Sequence, residues 1–217
     1  MTAAGRQGHR PGSISRFFPR ASAPSQVPRL PEGPEPRGPL ARLRAADGAV
    51  YEFRLLGPED SQLVVSFYSS LDTVSLYYRF LGVFKDFESH ARRLFSSPCN
   101  YAVGAFAGGS LVAEGEGFSD CADAELAFAV MPEHRRRGLA TVIAALLVLE
   151  AHRRGMRTME AYMHAENEAA IRIGNRLGLR MCPEEGGVFH GKAELEAIRG
   201  LALKAIRDKG AELLYPY

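Results

Sequence analysis

The stretch "MPEHRRRGLATVIAALLVLEAHRRG", residues 131–155, decides how the rest of the chain is read. Three arginines run into a glycine, and an apolar pattern follows at once. Leu139, Val142, Ile143, Leu146 and Leu149 recur at helical spacing, which predicts a helix starting near Arg136. Arg153, Arg154 and Gly155 close it, because cations suit the negative end of a helix and glycine the position past it. Upstream, "AELAFAV" (124–130) reads as a strand, and Met131–Arg135 as the loop between the two. A helix start leaves backbone N–H groups without intrahelical partners and carries roughly half a positive charge. That combination attracts an anion, typically phosphate. Gly138 and Ala140 are small enough to let a phosphate approach the backbone, including the N–H groups of Leu139 and Thr141. Arg135, Arg136 and Arg137 add full charges. There is no GxxxxGK[ST] and no GxGxxG after the strand, so neither a P-loop nor a dinucleotide fingerprint is present.

Working outward, "RTMEAYM" (157–163) predicts a strand, Asn167 caps a helix to Leu177, and Gly178 follows its end. "GVFHGKAEL" predicts a last strand, and a helix to about Asp208 finishes the chain. Upstream, "NYAVGAF" (100–106) and "SLVAEGEGF" (110–118) flank Ala107-Gly108-Gly109, a hairpin signal. Earlier still come a strand at 50–56, a helix from Gly57-Pro58-Glu59-Asp60 with an apolar face of Leu63, Val64, Phe67 and Leu71, a short helix over 72–82 capped by Asp72, and a third over Phe87–Phe95. The order predicts an α+β domain with a mixed central sheet, an antiparallel amino-terminal meander and helices on both faces.

Residues 1–45 differ in texture. "RPGSISRFFPRASAPSQVPRLPEGPEPRGP" is rich in Pro, Ser and Arg, and no acid precedes Glu32. Such a segment cannot bury enough surface to offset its ordering entropy, so it reads as a disordered basic tail. It shares its composition with transit peptides but lacks the apolar run of a secretory signal. The domain is then 46–217, the carboxy-terminal helix included. A net charge of +2 on 217 residues is too weak to argue for nucleic acid or membrane as partner. No apolar run is long enough to span a bilayer. Three scattered cysteines, Cys99, Cys121 and Cys182, with no CxxC pair, predict neither a zinc site nor a disulfide, and a reduced cytoplasmic setting. No histidine pairs with an acid at ligand spacing, so no metal is expected.

Arg135-x-x-Gly138-x-Ala140 resembles the R/Q-x-x-G-x-G/A signature of the GNAT acetyltransferase superfamily. The strand before it ends in V-x-P, as that family prefers. "NEAAIRIGNRLGL" (167–179) resembles the family's N-x-x-A-x-x-L-Y-E-K-L-G-F, and the likeness extends through "RLLGPEDSQLVVSFYSSLDTVSLYYRFLGVFKD". Within the superfamily the chain is similar to the acetyltransferase domain of bacterial Pat-type protein-lysine acetyltransferases. The resemblance implies acetyl-CoA as cosubstrate, with its pyrophosphate on residues 135–141. It implies that the main chain of Phe128 and Val130 holds the pantetheine arm, and that Asn167 contacts the same arm as well as capping its helix. The acceptor would be a primary amine, a protein lysine among the candidates, and the protein a monomer or homodimer.

Glu125 is the candidate base. It sits inside an apolar strand, where an unpaired carboxylate is costly, in the A-E-[IVL]-x-F context of several lysine acetyltransferases. An acid at a water-facing strand edge is the bland alternative. The family's tyrosine, its proposed general acid, is replaced by Gly174; Tyr162 and His164 are substitutes by position, though each also suits a structural role. Glu114 and Glu116 point the same way on one strand, towards an acceptor groove or, more simply, a solvated face. His134 and His152 read as surface residues. Rival functions are transfer to a small-molecule amine and a non-catalytic acyl-CoA-binding module.

Overall fold

The computed structural model describes residues 38–217; the tail expectation for residues 1–37 lies outside them. The described residues form nine strands and six α-helices: β1 (Ala41–Arg44), β2 (Val50–Leu56), α1 (Ser61–Ser70), α2 (Thr73–Phe80), α3 (Phe87–Leu94), β3 (Tyr101–Ala107), β4 (Ser110–Ser119), β5 (Asp123–Val130), α4 (Leu139–Arg153), β6 (Thr158–His164), α5 (Glu168–Arg176), β7 (Arg180–Glu184), β8 (Val188–Glu194), α6 (Leu195–Asp208) and β9 (Ala211–Leu213). One sheet carries them in the order β7-β8-β6-β5-β4-β3-β2-β1-β9. Its pairs are antiparallel except β5 with β6. The fold is α+β with a mixed sheet and helices on both faces, as the element order predicts.

The "EGEG" of β4 shows how the two faces differ. A Cβ at Gly115 would collide with Ile143 and Leu147 of α4, so glycine lets that helix lie close on the sheet. The intervening Glu114 and Glu116 point to the opposite face, beneath α1 and α3. They are fully buried, not solvated. On that face Val64, Phe67, Tyr68, Phe87 and Leu94 pack on Ala102, Leu111 and Ala129. On the other, α4 is buried around nearly its whole circumference, because α6 covers its outer side with Ile198, Ala202, Ala205 and Ile206. A helix apolar all round needs such a second cover.

Several expectations are corrected. Strand β1 begins at Ala41, inside the stretch assigned to the tail, and Leu40 is already buried in the core. Four residues with alternating burial are too few to stand out beside a proline-rich run. Helix α4 begins at Leu139, three residues later than predicted, because Arg136 and Gly138 both take positive φ. Leu63 is exposed rather than on the buried face of α1. The short strands β7 and β9 carry no alternating apolar signal, and both go unpredicted. Cys99 and Cys121 form a disulfide, with Cα atoms 5.0 Å apart. The β4–β5 hairpin folds Cys121 back onto the loop before β3, a proximity that sequence spacing does not encode. Cys182 is free and exposed.

Candidate active site

The site forms where β5 leaves β6. Their parallel ladder pairs Asp123 with Thr158, Ala124 with Met159 and Glu125 with Glu160. β5 continues to Val130 and β6 to His164, but the ladder does not. On its other side β5 stays in register with β4 throughout. Met131 N–H donates to the Val112 carbonyl at 3.0 Å. Antiparallel pairing alternates, so Ala127 and Ala129 also turn their main-chain groups towards β4, while Phe128 and Val130 turn theirs into the gap. Arg135 Nε donates to the Val130 carbonyl there, at 3.2 Å.

The gap leads to the loop before α4. Backbone handedness alternates: Arg136 has φ 64°, Arg137 is not in the positive region, and Gly138 has φ 92°. Such alternation turns successive N–H groups to one side and makes an anion-binding concavity. Val142 N–H is bonded to the Gly138 carbonyl at 3.1 Å. The N–H groups of Leu139, Ala140 and Thr141 precede that first rung and lack intrahelical acceptors. Gly138 serves here through its φ, which an L side chain rarely adopts.

The three arginines have separate partners. Arg135 reaches Ser75 and, at 3.3 Å, Asp72, whose carboxylate also caps α2. Arg137 bonds Tyr51 Oη at 2.8 Å and pairs with Asp47 at 2.8 Å. His134 lies in the same cluster, 3.1 Å from Tyr51 Oη, so it is partly enclosed rather than a plain surface residue. Arg136 is exposed and has no ion pair among the described residues.

At the fork, Glu125 lines a small cleft of about 30 Å³ with Arg79, Phe80, Leu81, Leu126, Ala127 and Tyr162. Burial raises its carboxyl to about 7; Glu160 pushes the same way, and Arg79 and Arg93 oppose. Glu125 pairs in register with Phe118, and Glu116 with Ala127, so Glu114, Glu116 and Glu125 share one face. Beneath α1–α3 the first two enter a buried network. Tyr68 Oη donates to Glu114 at 2.5 Å, Arg79 Nε donates to Tyr68 Oη at 3.0 Å, and Arg79 pairs with Glu116. His90 Nε2 lies 2.8 Å from Glu116. Burial, then Arg79 and Arg93, lowers the His90 imidazole to about 2, so it is neutral beside Glu116. Burial raises Glu114 to about 7. Tyr68, Arg79 and His90 give no signal in the sequence, because their partners lie on other elements.

Asn167 caps α5 beside the end of β6, accepting from Ala170 N at 3.2 Å. Gly174 is buried, and a Cβ there would meet Met181 at 3.3 Å and Met163 at 3.6 Å. Tyr162 stacks on His190 at 4.5 Å, and burial raises its hydroxyl to about 12. His164 packs between Tyr77 and Tyr78 instead, at 5.6 and 5.8 Å. His152 pairs with Glu196 at 2.9 Å, far along α4. A broader hollow of about 480 Å³ lies near Arg153 and Arg154 at that far end of α4. Both arginines pair with buried Glu150, at 2.6 and 2.7 Å. No grouping of three metal-ligating side chains occurs among the described residues, and no helix there is long and apolar enough to cross a membrane.

Comparison with known proteins agrees with this architecture. Among solved structures, the GNAT domain of S. lividans PAT superposes with a TM-score of 0.63 at 23% identity, over 71% of this chain and 96% of that one. An N-acetyltransferase from Staphylococcus aureus Mu50 gives 0.56 at 18%, over 67% and 98%. YncA from Salmonella typhimurium, solved with its cofactor acetyl-CoA, gives 0.52 at 20%, over 67% and 94%. At these identities the likeness is one of fold. The model of the acetyltransferase (GNAT) domain family matches residues 42–180. That match covers more than half of the chain, which therefore belongs to the GNAT acetyltransferases.

Proposed function

We propose that this protein transfers an acetyl group from acetyl-CoA to a primary amine, with a protein lysine as acceptor. The observation that carries the reading is the fork itself: a half-buried carboxylate at its base, strand backbone outside the β5–β6 ladder along one side, and an N–H-lined loop at its mouth. The cosubstrate supplies an activated acyl thioester. Residues 135–141 would hold its pyrophosphate through main-chain N–H groups. Phe128 and Val130 would bind the pantetheine arm along the gap, and Asn167 would contact it from the β6 side. Most of the rate enhancement would come from this positioning.

An amine acceptor arrives mainly as ammonium, since lysine has a reference pKa near 10.4. Glu125 takes its proton, directly or through a water, and a carboxyl near 7 suits that work at neutral pH. Phe80, Leu81 and Leu126 give the cleft apolar walls for an aliphatic stem. Gly174 carries no hydroxyl, so no tyrosine acid acts from that position. A thiolate leaves without full protonation, and the reaction does not require one.

Calorimetry with acetyl-CoA and CoA, followed by thiol release with lysine peptides and a panel of small amines, tests the proposal. Binding of both and turnover of lysine peptides is the expected result. Turnover of small amines alone would move the acceptor class, and binding without any turnover would leave an acyl-CoA-binding module.

A further inference from the structure

The arginine run raises a question of charge balance. Of its three guanidinium groups, Arg135 is spent on α2 and Arg137 on Asp47 and Tyr51. Only Arg136 remains without an ion-pair partner among the described residues, yet CoA carries a pyrophosphate and a 3′-phosphate. A second cation comes from elsewhere in the chain. Helix α6 packs on α4, and its carboxy-terminal end brings Lys209 to the phosphate loop. Lys209 Cδ and Cγ lie 3.4 and 3.7 Å from where a Cβ on Gly138 would stand. The aliphatic stem is thus laid against the glycine that sets the loop's conformation. Lys209 is partly buried and has no carboxylate partner among the described residues. Its neighbour Lys204 instead pairs with Asp208 at 2.7 Å. A lysine that keeps its stem on the protein and its ammonium uncommitted is arranged to meet an anion.

We propose that Lys209 is a phosphate-binding residue for CoA, working with Arg136 at the α4 loop. The inference rests on the reading of this loop as the CoA site. It also adds something that reading lacks: Lys209 lies outside residues 42–180, the part matched by the family model. Helix α6 would thereby belong to the cosubstrate site and not only to the core.

Titration calorimetry of Lys209→Gln against wild type, with CoA and with 3′-dephospho-CoA, tests this. The expected loss in CoA affinity is about 5- to 10-fold, the scale of one partly exposed charge-assisted contact. Lys209→Arg should keep most of the affinity, and Lys204→Gln should change nothing. If Lys209→Gln weakens CoA but not dephospho-CoA, the ammonium meets the 3′-phosphate; equal losses place it on the pyrophosphate. The wild-type affinity should also fall more steeply with salt than that of Lys209→Gln. Unchanged affinity of a folded Lys209→Gln for both ligands overturns the role of Lys209 alone. Failure of wild type to bind CoA overturns the function proposed above, and this role with it.

Discussion

At the scale of the residue, Glu125 and Gly138 are the most informative positions. Glu125 is placed at the last rung of a parallel ladder, where burial and the facing Glu160 favour its neutral form. A base must be ionised to act, so kcat/KM should rise as pH passes upward through about 7. Glu125→Gln should lower kcat by roughly 10²- to 10⁴-fold and abolish that acidic limb, while leaving CoA affinity intact. A pH–rate series on both proteins decides it, and an unchanged limb in the variant would remove Glu125 from the mechanism. Gly138 stood out in the sequence as the glycine before an apolar helix; the structure adds a second reason for it, a φ of 92° that lets the chain enter α4.

At the scale of the element, α2 links the two halves of the site. Asp72 caps it and holds Arg135 from the loop before α4, while Arg79 at its other end serves the buried network. Asp72→Ala removes a cap worth about 1 kcal/mol, which should lower the melting temperature by roughly 2–4 °C in a chain of this size. The network has its own pH signature. Burial pushes the Glu114 carboxyl up from its ordinary 4.5 to about 7. Between those values the native state holds a proton that the unfolded chain has released, so folding stability falls as pH rises from about 4.5 to about 7. Glu114→Gln mimics the protonated acid. Its stability relative to wild type should therefore grow across that window and level off above it, as denaturant titrations at several pH values would show. A constant difference would mean that Glu114 does not titrate there. The sequence could place Glu114 and Glu116 on one face by alternation alone. Whether that face met water or protein depended on α1–α3, whose packing no local pattern specifies.

At the scale of the whole molecule, the frame from β5 to α5 was legible because each element carries its own signal: alternation in β5, helical spacing in α4, an asparagine cap on α5. What escaped reading was held by long-range partners. Strand β1 exists because β2 and β9 flank it, and β9 because β1 offers an edge. The disulfide joins residues 22 apart in sequence. Closing a loop of that length should contribute about 3 kcal/mol by restricting the unfolded chain. Reduction, or Cys99→Ser, should lower the denaturation midpoint accordingly, and Cys182→Ser should not. Equal midpoints with and without reductant would show that the bridge adds nothing to stability.

The short ladder between β5 and β6 has one more consequence. A sheet normally exposes its unsatisfied backbone at its rims, where other chains can add to it. This sheet has such a rim in its middle. The cosubstrate would complete it as a strand of foreign chemistry, occupying a place that no peptide segment takes. Binding would then register as slowed amide hydrogen exchange at Phe128 and Val130, the groups turned into the gap. Ala127 and Ala129, already bonded to β4, should exchange as before.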